Sequence, residues 1–211
     1  MMTKSDYIRN PGRMASLPFW KEQKYGNLNT IKIVHEEQYK ESDYKDYAKE
    51  HYFKVIHRLN DIPQQAIDSS LIIDVVKTEQ SEFVASFINQ CYEKIQVSKE
   101  KVEKWMEERV YSPDTWVTIS KNGVGFIALG IADFDADIRE GIFEWIQVLP
   151  EYRGKGFGKI LVTELLLRLK DISADFVTVC GDLENESNPL RLYESCGFAE
   201  KNVWHILSPI I

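Results

Sequence analysis

A mixed α/β sheet covered by helices is the fold this sequence predicts, and three features predict it. Two strand-like runs, Trp116 to Ser120 and Val124 to Phe134, meet at Asn122-Gly123, the dipeptide that tight hairpins favour. Gly141 to Val148 is apolar on both faces, as a central strand is. After it come a proline, a basic glycine-rich turn, a helix from Phe157 to Lys170 and another strand from Phe176 to Cys180. One late strand–helix–strand unit added to hairpins gives a mixed sheet.

The other elements follow in chain order. Residues 1–30 are rich in Pro, Gly and Asn and carry an aromatic knot at Leu17-Pro18-Phe19-Trp20. Thr30 to His35 reads as a strand. Asp43 to Leu59 reads as a helix, because Tyr44, Ala48, Tyr52, Val55, Ile56 and Leu59 recur at helical spacing. Asn60 to Ser70, with Pro63, reads as a linker. Leu71 to Lys77 is a strand. Phe83, Val84, Phe87, Ile88 and Cys91 mark the buried face of a helix. Ser98 is an N-cap for another, with Val102, Trp105 and Met106 on one face. In the helix after the glycine-rich turn, Leu161, Leu165 and Leu169 stack at four-residue spacing. Pro189 to Ser195 is a short helix and Asn202 to Leu207 a last strand.

The turn itself, Arg153-Gly154-Lys155-Gly156-Phe157-Gly158-Lys159, is built for an anion. Its glycines bare the backbone, and the N–H groups that open the next helix lack partners of their own. With the helix dipole and the cations Arg153, Lys155 and Lys159 they form a cradle suited to a pyrophosphate. A Walker loop does not fit: Arg153 stands where its first Gly belongs, and Ile160 where its hydroxyl belongs. The dinucleotide fingerprint G-x-G-x-x-G does not fit the G-x-G-x-G spacing either.

Arg153, Gly156 and Gly158 do meet the pattern Arg/Gln-x-x-Gly-x-Gly/Ala. Downstream, Asn188-Pro189-Leu190-Arg191-Leu192-Tyr193-Glu194-Ser195-Cys196-Gly197-Phe198 meets a second, Asn…Leu-Tyr-x-x-x-Gly-Phe. In these two motifs, in this order, the chain resembles the GNAT superfamily, the Gcn5-related N-acetyltransferases. The resemblance covers roughly residues 71–211. It implies a GNAT-like, mostly antiparallel central sheet flanked by helices, and acetyl-CoA as the acetyl donor. Residues 69–211 would be the acetyltransferase domain. Residues 1–68 match no family and would be an N-terminal strand-helix extension of unknown role.

The implied reaction moves an acetyl group from acetyl-CoA to a primary amine, on a small molecule or a peptide, by direct attack. The resemblance places cofactor contacts at Gln147, Val148, Arg153, Gly154, Lys155, Gly156, Phe157, Gly158, Lys159, Asn188 and Tyr193. Tyr193 matches the tyrosine that protonates the departing sulfur; read alone, with Leu190 and Leu192 as apolar neighbours, it is a core tyrosine. Asn188 matches the asparagine near the pantetheine arm; read alone, it is a turn or cap residue before Pro189. Val148 fits the main-chain donor to the thioester oxygen. Glu144 is the candidate general base. With strict alternation, Ile142, Glu144, Ile146 and Val148 share one face of the strand, with Phe143, Trp145 and Leu149 on the other. A carboxylate in a central strand is desolvated, which raises its pKa. A structural glutamate is the competing reading, and Glu140 is the same-face alternative as base. A non-catalytic acyl-CoA-binding sensor is the alternative function.

Composition sets the outer limits. At 211 residues, 44% hydrophobic and 28% charged, the chain can bury a core without disulfides. A net charge of −7 argues against sequence-independent nucleic-acid binding. Cys91, Cys180 and Cys196 show no C-x-x-C spacing, and His35, His51, His57 and His205 no metal-ligand spacing, so no metal is expected. No apolar run approaches the ~18 residues of a membrane span, and no signal-peptide core opens the chain. The expectation is a cytoplasmic monomer or homodimer.

Overall fold

The structure, a computed structural model, describes residues 2–25, 31–92 and 94–210. Its eight strands form a mixed, mostly antiparallel sheet with helices, as expected. By its contacts the chain divides into two compact units, Leu59–Val177 and Met1–Arg58 with Thr178–Ile211.

In the unit Leu59–Val177, β3 (Leu71–Val75), β4 (Trp116–Lys121), β5 (Gly125–Asp135) and β6 (Glu140–Val148) form an antiparallel run in sheet order β6-β5-β4-β3. The β4–β5 turn is the expected hairpin: Gly123 takes φ 75°, and Val124 N–H donates to Lys121 O at 3.0 Å. On one face lie α4 (Ser81–Cys91) and α5 (Lys99–Met106). The Ser98 hydroxyl caps α5 by accepting from Lys101 N–H at 3.3 Å. Val84, Phe87, Ile88 and Val102 pack there against Trp116, Leu129 and Ile131. On the other face lies α6 (Phe157–Asp171), whose Leu161, Leu165 and Leu169 are fully buried. This leucine ladder sits over bare backbone. A Cβ on Gly130 would lie 2.8 Å from Leu165 Cδ1, and one on Gly141 2.7 Å from Leu169 Cδ1. Glycine at these two strand positions lets α6 approach the sheet.

The second unit carries β1 (Lys32–His35), β2 (Tyr47–His57), β8 (Ala199–Pro209) and the residues of β7 (Phe176–Asp182) from Thr178 on. The sheet order is β1-β8-β2-β7, and β8 pairs antiparallel with both β1 and β2. Thr30, the start of the strand expected there, lies outside the described residues. Three short helices precede β1: α1 (Lys4–Arg9), α2 (Pro11–Met14) and α3 (Phe19–Tyr25). Thr3 and Asn10 cap α1 and α2 with their side chains, and Pro11 opens α2. The buried Lys54 ties this segment down. Its Nζ donates to Tyr7 Oη (3.0 Å), Ala15 O (2.9 Å) and Leu17 O (2.9 Å). The remaining helix, α7 (Pro189–Ser195), has the expected bounds.

One expected element is wrong. Asp43 to Leu59 is not a helix: a short 3-10 turn at Glu41–Tyr44 leads into β2. From Phe53 to His57 every residue of β2 is buried, so the strand shows no alternation there and its apolar spacing imitates a helix.

Candidate functional site

The main chain after β6 makes a concave surface of donors. A 3-10 turn at Pro150–Tyr152 ends in Arg153, and Gly154 (φ 72°) and Gly156 (φ 87°) then take left-handed conformations on either side of Lys155. Such alternation aims successive N–H groups inward, the geometry of an anion nest. Gly156 caps α6, and its carbonyl accepts from Lys159 N–H (3.0 Å) and Ile160 N–H (3.2 Å). The N–H groups of Gly154, Lys155, Gly156, Phe157 and Gly158 donate to no protein acceptor among the described residues. Nothing lies within 4 Å of a Cβ built on Gly154 or Gly156, so the nest is open to solvent. Unspent amides at the start of a long helix fit a diphosphate without further charge.

The loop's cations face the protein more than the nest. Arg153 Nε donates to Val148 O at 3.1 Å, and its Nη2 donates to Cys91 O at 2.8 Å. The guanidinium therefore braces the turn against the C-terminal end of α4. Lys155 Nζ donates to Glu151 O at 2.8 Å and lies 5.2 Å from the Tyr152 ring centre. The Lys159 ammonium makes no hydrogen bond or ion pair among the described residues.

Strand β6 departs from the alternation expected of it. Ile131 pairs with Trp145 and Ala132 with Phe143, so the register skips Glu144. A bulge of this kind re-aims its extra residue and reverses the faces beyond it. Ile142 therefore shares a face with Trp145, not with Ile146 and Val148. Glu144 is half-buried, not the fully desolvated carboxylate expected. Glu140 is fully buried opposite Asp135, at the end of β6 remote from the nest, where Arg109 grips Asp135 at 2.7 and 2.9 Å. Leu149 N–H donates to Ile127 O in β5 at 3.0 Å. By alternation, the Val148 N–H points away from β5.

Gln147 shares its side of the sheet with its partner Leu129, and with Trp145 and Leu149. It is 2% exposed, and neither its Nε2 nor its Oε1 has a hydrogen-bond partner. Around Trp145 stand Tyr92 (ring centres 5.9 Å apart) and Trp105 (5.7 Å), all three half-buried. The sequence marked Trp105 only as a helix face. Its meeting with Tyr92 and Trp145 needed the packing of α4 and α5 on β6.

In the other unit, Tyr193 is 6% exposed, its ring 6.1 Å from Phe53 and 5.5 Å from Phe198. Asn188 is exposed and left-handed (φ 46°) at the start of α7, without a side-chain cap bond. Asparagine tolerates that conformation and Pro189 follows it, so the turn role is met. Cys196 is fully buried. Among the described residues, no group of His, Cys, Asp and Glu could hold a metal ion, and no helix is long and apolar enough to cross a membrane.

Residues 112–200 match the family model of the acetyltransferase (GNAT) domain. No curated protein matches the sequence. Among solved structures, a GCN5-related N-acetyltransferase from Sphaerobacter thermophilus is similar at TM-score 0.67 and 13% identity, over 79% of this chain and 54% of that one. One from Kribbella flavida reaches TM-score 0.61 at 14% identity, over 85% of this chain and 68% of that one. The ribosomal-protein-S18-alanine N-acetyltransferase from Escherichia coli reaches 0.53 at 18% identity, over 66% of this chain and 94% of that one. The chain thus spans about half the length of the Sphaerobacter protein. At these identities the likeness speaks for the fold. Residues 112–200 thus match the acetyltransferase (GNAT) domain model, and the chain has a GNAT-like fold.

Proposed function

We propose that the protein transfers an acetyl group from acetyl-CoA to a primary amine by direct attack. The observation that carries this reading is the run of unspent amides from Gly154 to Gly158 at the start of α6, which suits the diphosphate of coenzyme A. When bound, acetyl-CoA supplies an activated acetyl thioester. Glu144 acts on the amine. With a pKa near ~10.4 an alkylamine is mostly protonated at neutral pH, so a base must take its proton before nitrogen attacks. The Val148 N–H, aimed away from β5, is the donor to the carbonyl oxygen as negative charge grows there. With acetyl-CoA held there, the C–N bond would form as the C–S bond breaks; Tyr193 would give its hydroxyl proton to the departing sulfur and be restored by the second proton that the nitrogen loses as the amide forms, while Glu144 would return the first to solvent. Asn188 completes the contacts to the cofactor arm.

A covalent acyl-enzyme through Cys91 or Cys196 is disfavoured. Cys196 is fully buried, and burial pushes the Cys91 thiol up to about 11, so it stays protonated. The Escherichia coli relative is named for acetylating an alanine of a ribosomal protein, which is consistent with an amine acceptor here.

Thiol release from acetyl-CoA across a panel of amines, with calorimetry of coenzyme A, tests the reading. Coenzyme A heat together with turnover on at least one amine class is expected. No heat would remove the cofactor assignment. Tight binding without turnover on any amine would leave a sensor of acyl-CoA.

A further inference from the structure

We infer that the Gln147 side chain selects the acceptor, hydrogen-bonding an amide group carried beside the reacting amine while the acceptor's apolar body packs on Trp145, Trp105 and Tyr92. The inference rests on the amine-acetylation reading above and names the substrate class of that site. It starts from an expensive arrangement: a carboxamide 2% exposed, with donor and acceptor both unspent. Buried polar groups in folded proteins nearly always find partners, so an unspent one calls for an explanation. Here the neighbouring rings are half-buried, not sealed, and Leu149 beside them is half-buried too.

The chemistry of the partner follows from the group. A carboxamide offers one carbonyl acceptor next to one N–H donor, and a neutral amide returns the complementary pair. Because Gln147 already lies out of water, a partner need not strip solvent from it, so an acceptor with the amide gains what one without it cannot. The indoles of Trp145 and Trp105, with ring centres 5.7 Å apart and planes inclined by 31°, and the Tyr92 ring supply flat apolar surface beside that pair. The position is right for an acceptor: three residues before Gln147 on the same strand stands Glu144, and the nest opens shortly after it.

The test compares two amines alike in their ring and different in the amide, phenylalaninamide and 2-phenylethylamine, with the wild-type protein and Gln147→Leu. The amide also makes the amine less basic, so the diagnostic is how the ratio of kcat/KM changes between the proteins. A drop in the preference for phenylalaninamide of roughly tenfold, carried mainly by KM, is expected. An unchanged ratio would overturn the inference. Calorimetric titration of both amines, with and without coenzyme A, gives a readout that needs no turnover. A binding preference that survives Gln147→Leu and Gln147→Met, both checked for folding by circular dichroism, would also overturn it. If the wild type turns over neither amine, the panel of amines still decides acetyl transfer, and the calorimetric preference alone decides the role of Gln147.

Discussion

Gly156→Ala puts the diphosphate nest to a quantitative test. Gly156 sits at φ 87° and caps α6, and nothing lies within 4 Å of the Cβ that alanine would add. The substitution therefore meets no steric clash in the fold. Its cost is conformational: a left-handed alanine is disfavoured by about 1–2 kcal/mol. The lower entropy of the unfolded alanine chain offsets about 0.4–1 kcal/mol of that. The net loss is about 1 kcal/mol, or a fall in Tm of about 2–4 °C for a chain this size. Binding should suffer more. If the backbone relaxes, its N–H turns out of the nest, and a hydrogen bond to a charged group is worth about 1.5–3 kcal/mol. The Kd for coenzyme A should then rise about ten- to a hundredfold. Calorimetry with coenzyme A and with pantetheine, which lacks the diphosphate, separates this from general damage. Pantetheine should bind both proteins alike. An unchanged Kd for coenzyme A, or an equal loss for pantetheine, would refute the nest.

Further outcomes are expected. Tyr193→Phe keeps the ring contacts with Phe53 and Phe198, so kcat should fall by about a hundredfold while the Kd for coenzyme A stays nearly constant; equal turnover would remove the acid role. Arg153→Ala removes the donors to Val148 O and Cys91 O and should cost about 1 kcal/mol in thermal unfolding, with Arg153→Lys failing to restore it because the fork is lost. With Cys91 raised to about 11 by burial and Cys196 buried, alkylation at pH 8 followed by mass spectrometry should label Cys180 first; early labelling of Cys91 would contradict its burial. Lys54→Met leaves the Tyr7 hydroxyl and the Ala15 and Leu17 carbonyls without their shared donor, and should lower stability by about 2–3 kcal/mol in denaturant titration.

Much of the fold was legible because local signals agreed with the final packing. The Asn122-Gly123 hairpin, the Ser98 cap, the leucine ladder of α6 and the bounds of α7 each follow from a few neighbouring residues. The misreading of β2 has a physical origin: where both faces are buried, periodicity disappears, and only the aromatic and β-branched content of Tyr52, Phe53, Val55 and Ile56 argues for a strand. Thr3 and Asn10-Pro11 were usable start signals for α1 and α2. The candidate site was legible where it is made of glycines and illegible where it depends on distance. The turn of the Arg153 guanidinium toward Cys91 O, sixty-two residues away along the chain, cannot be read from the motif. Nor can the bulge at Glu144, which is fixed by how β6 registers on β5.

The seat of β8 between β1 and β2 has a consequence for how the molecule comes into being. As the chain is synthesised, both early strands must wait, their hydrogen-bonding edges bare, until β8 has emerged to join them. Pairings so remote along the chain form slowly, and bare edges invite association with other chains. Until β8 emerges from the ribosome, the Leu59–Val177 portion has its own strands to hand while the other portion is still incomplete. Production at low temperature or alongside a holdase should raise the soluble yield.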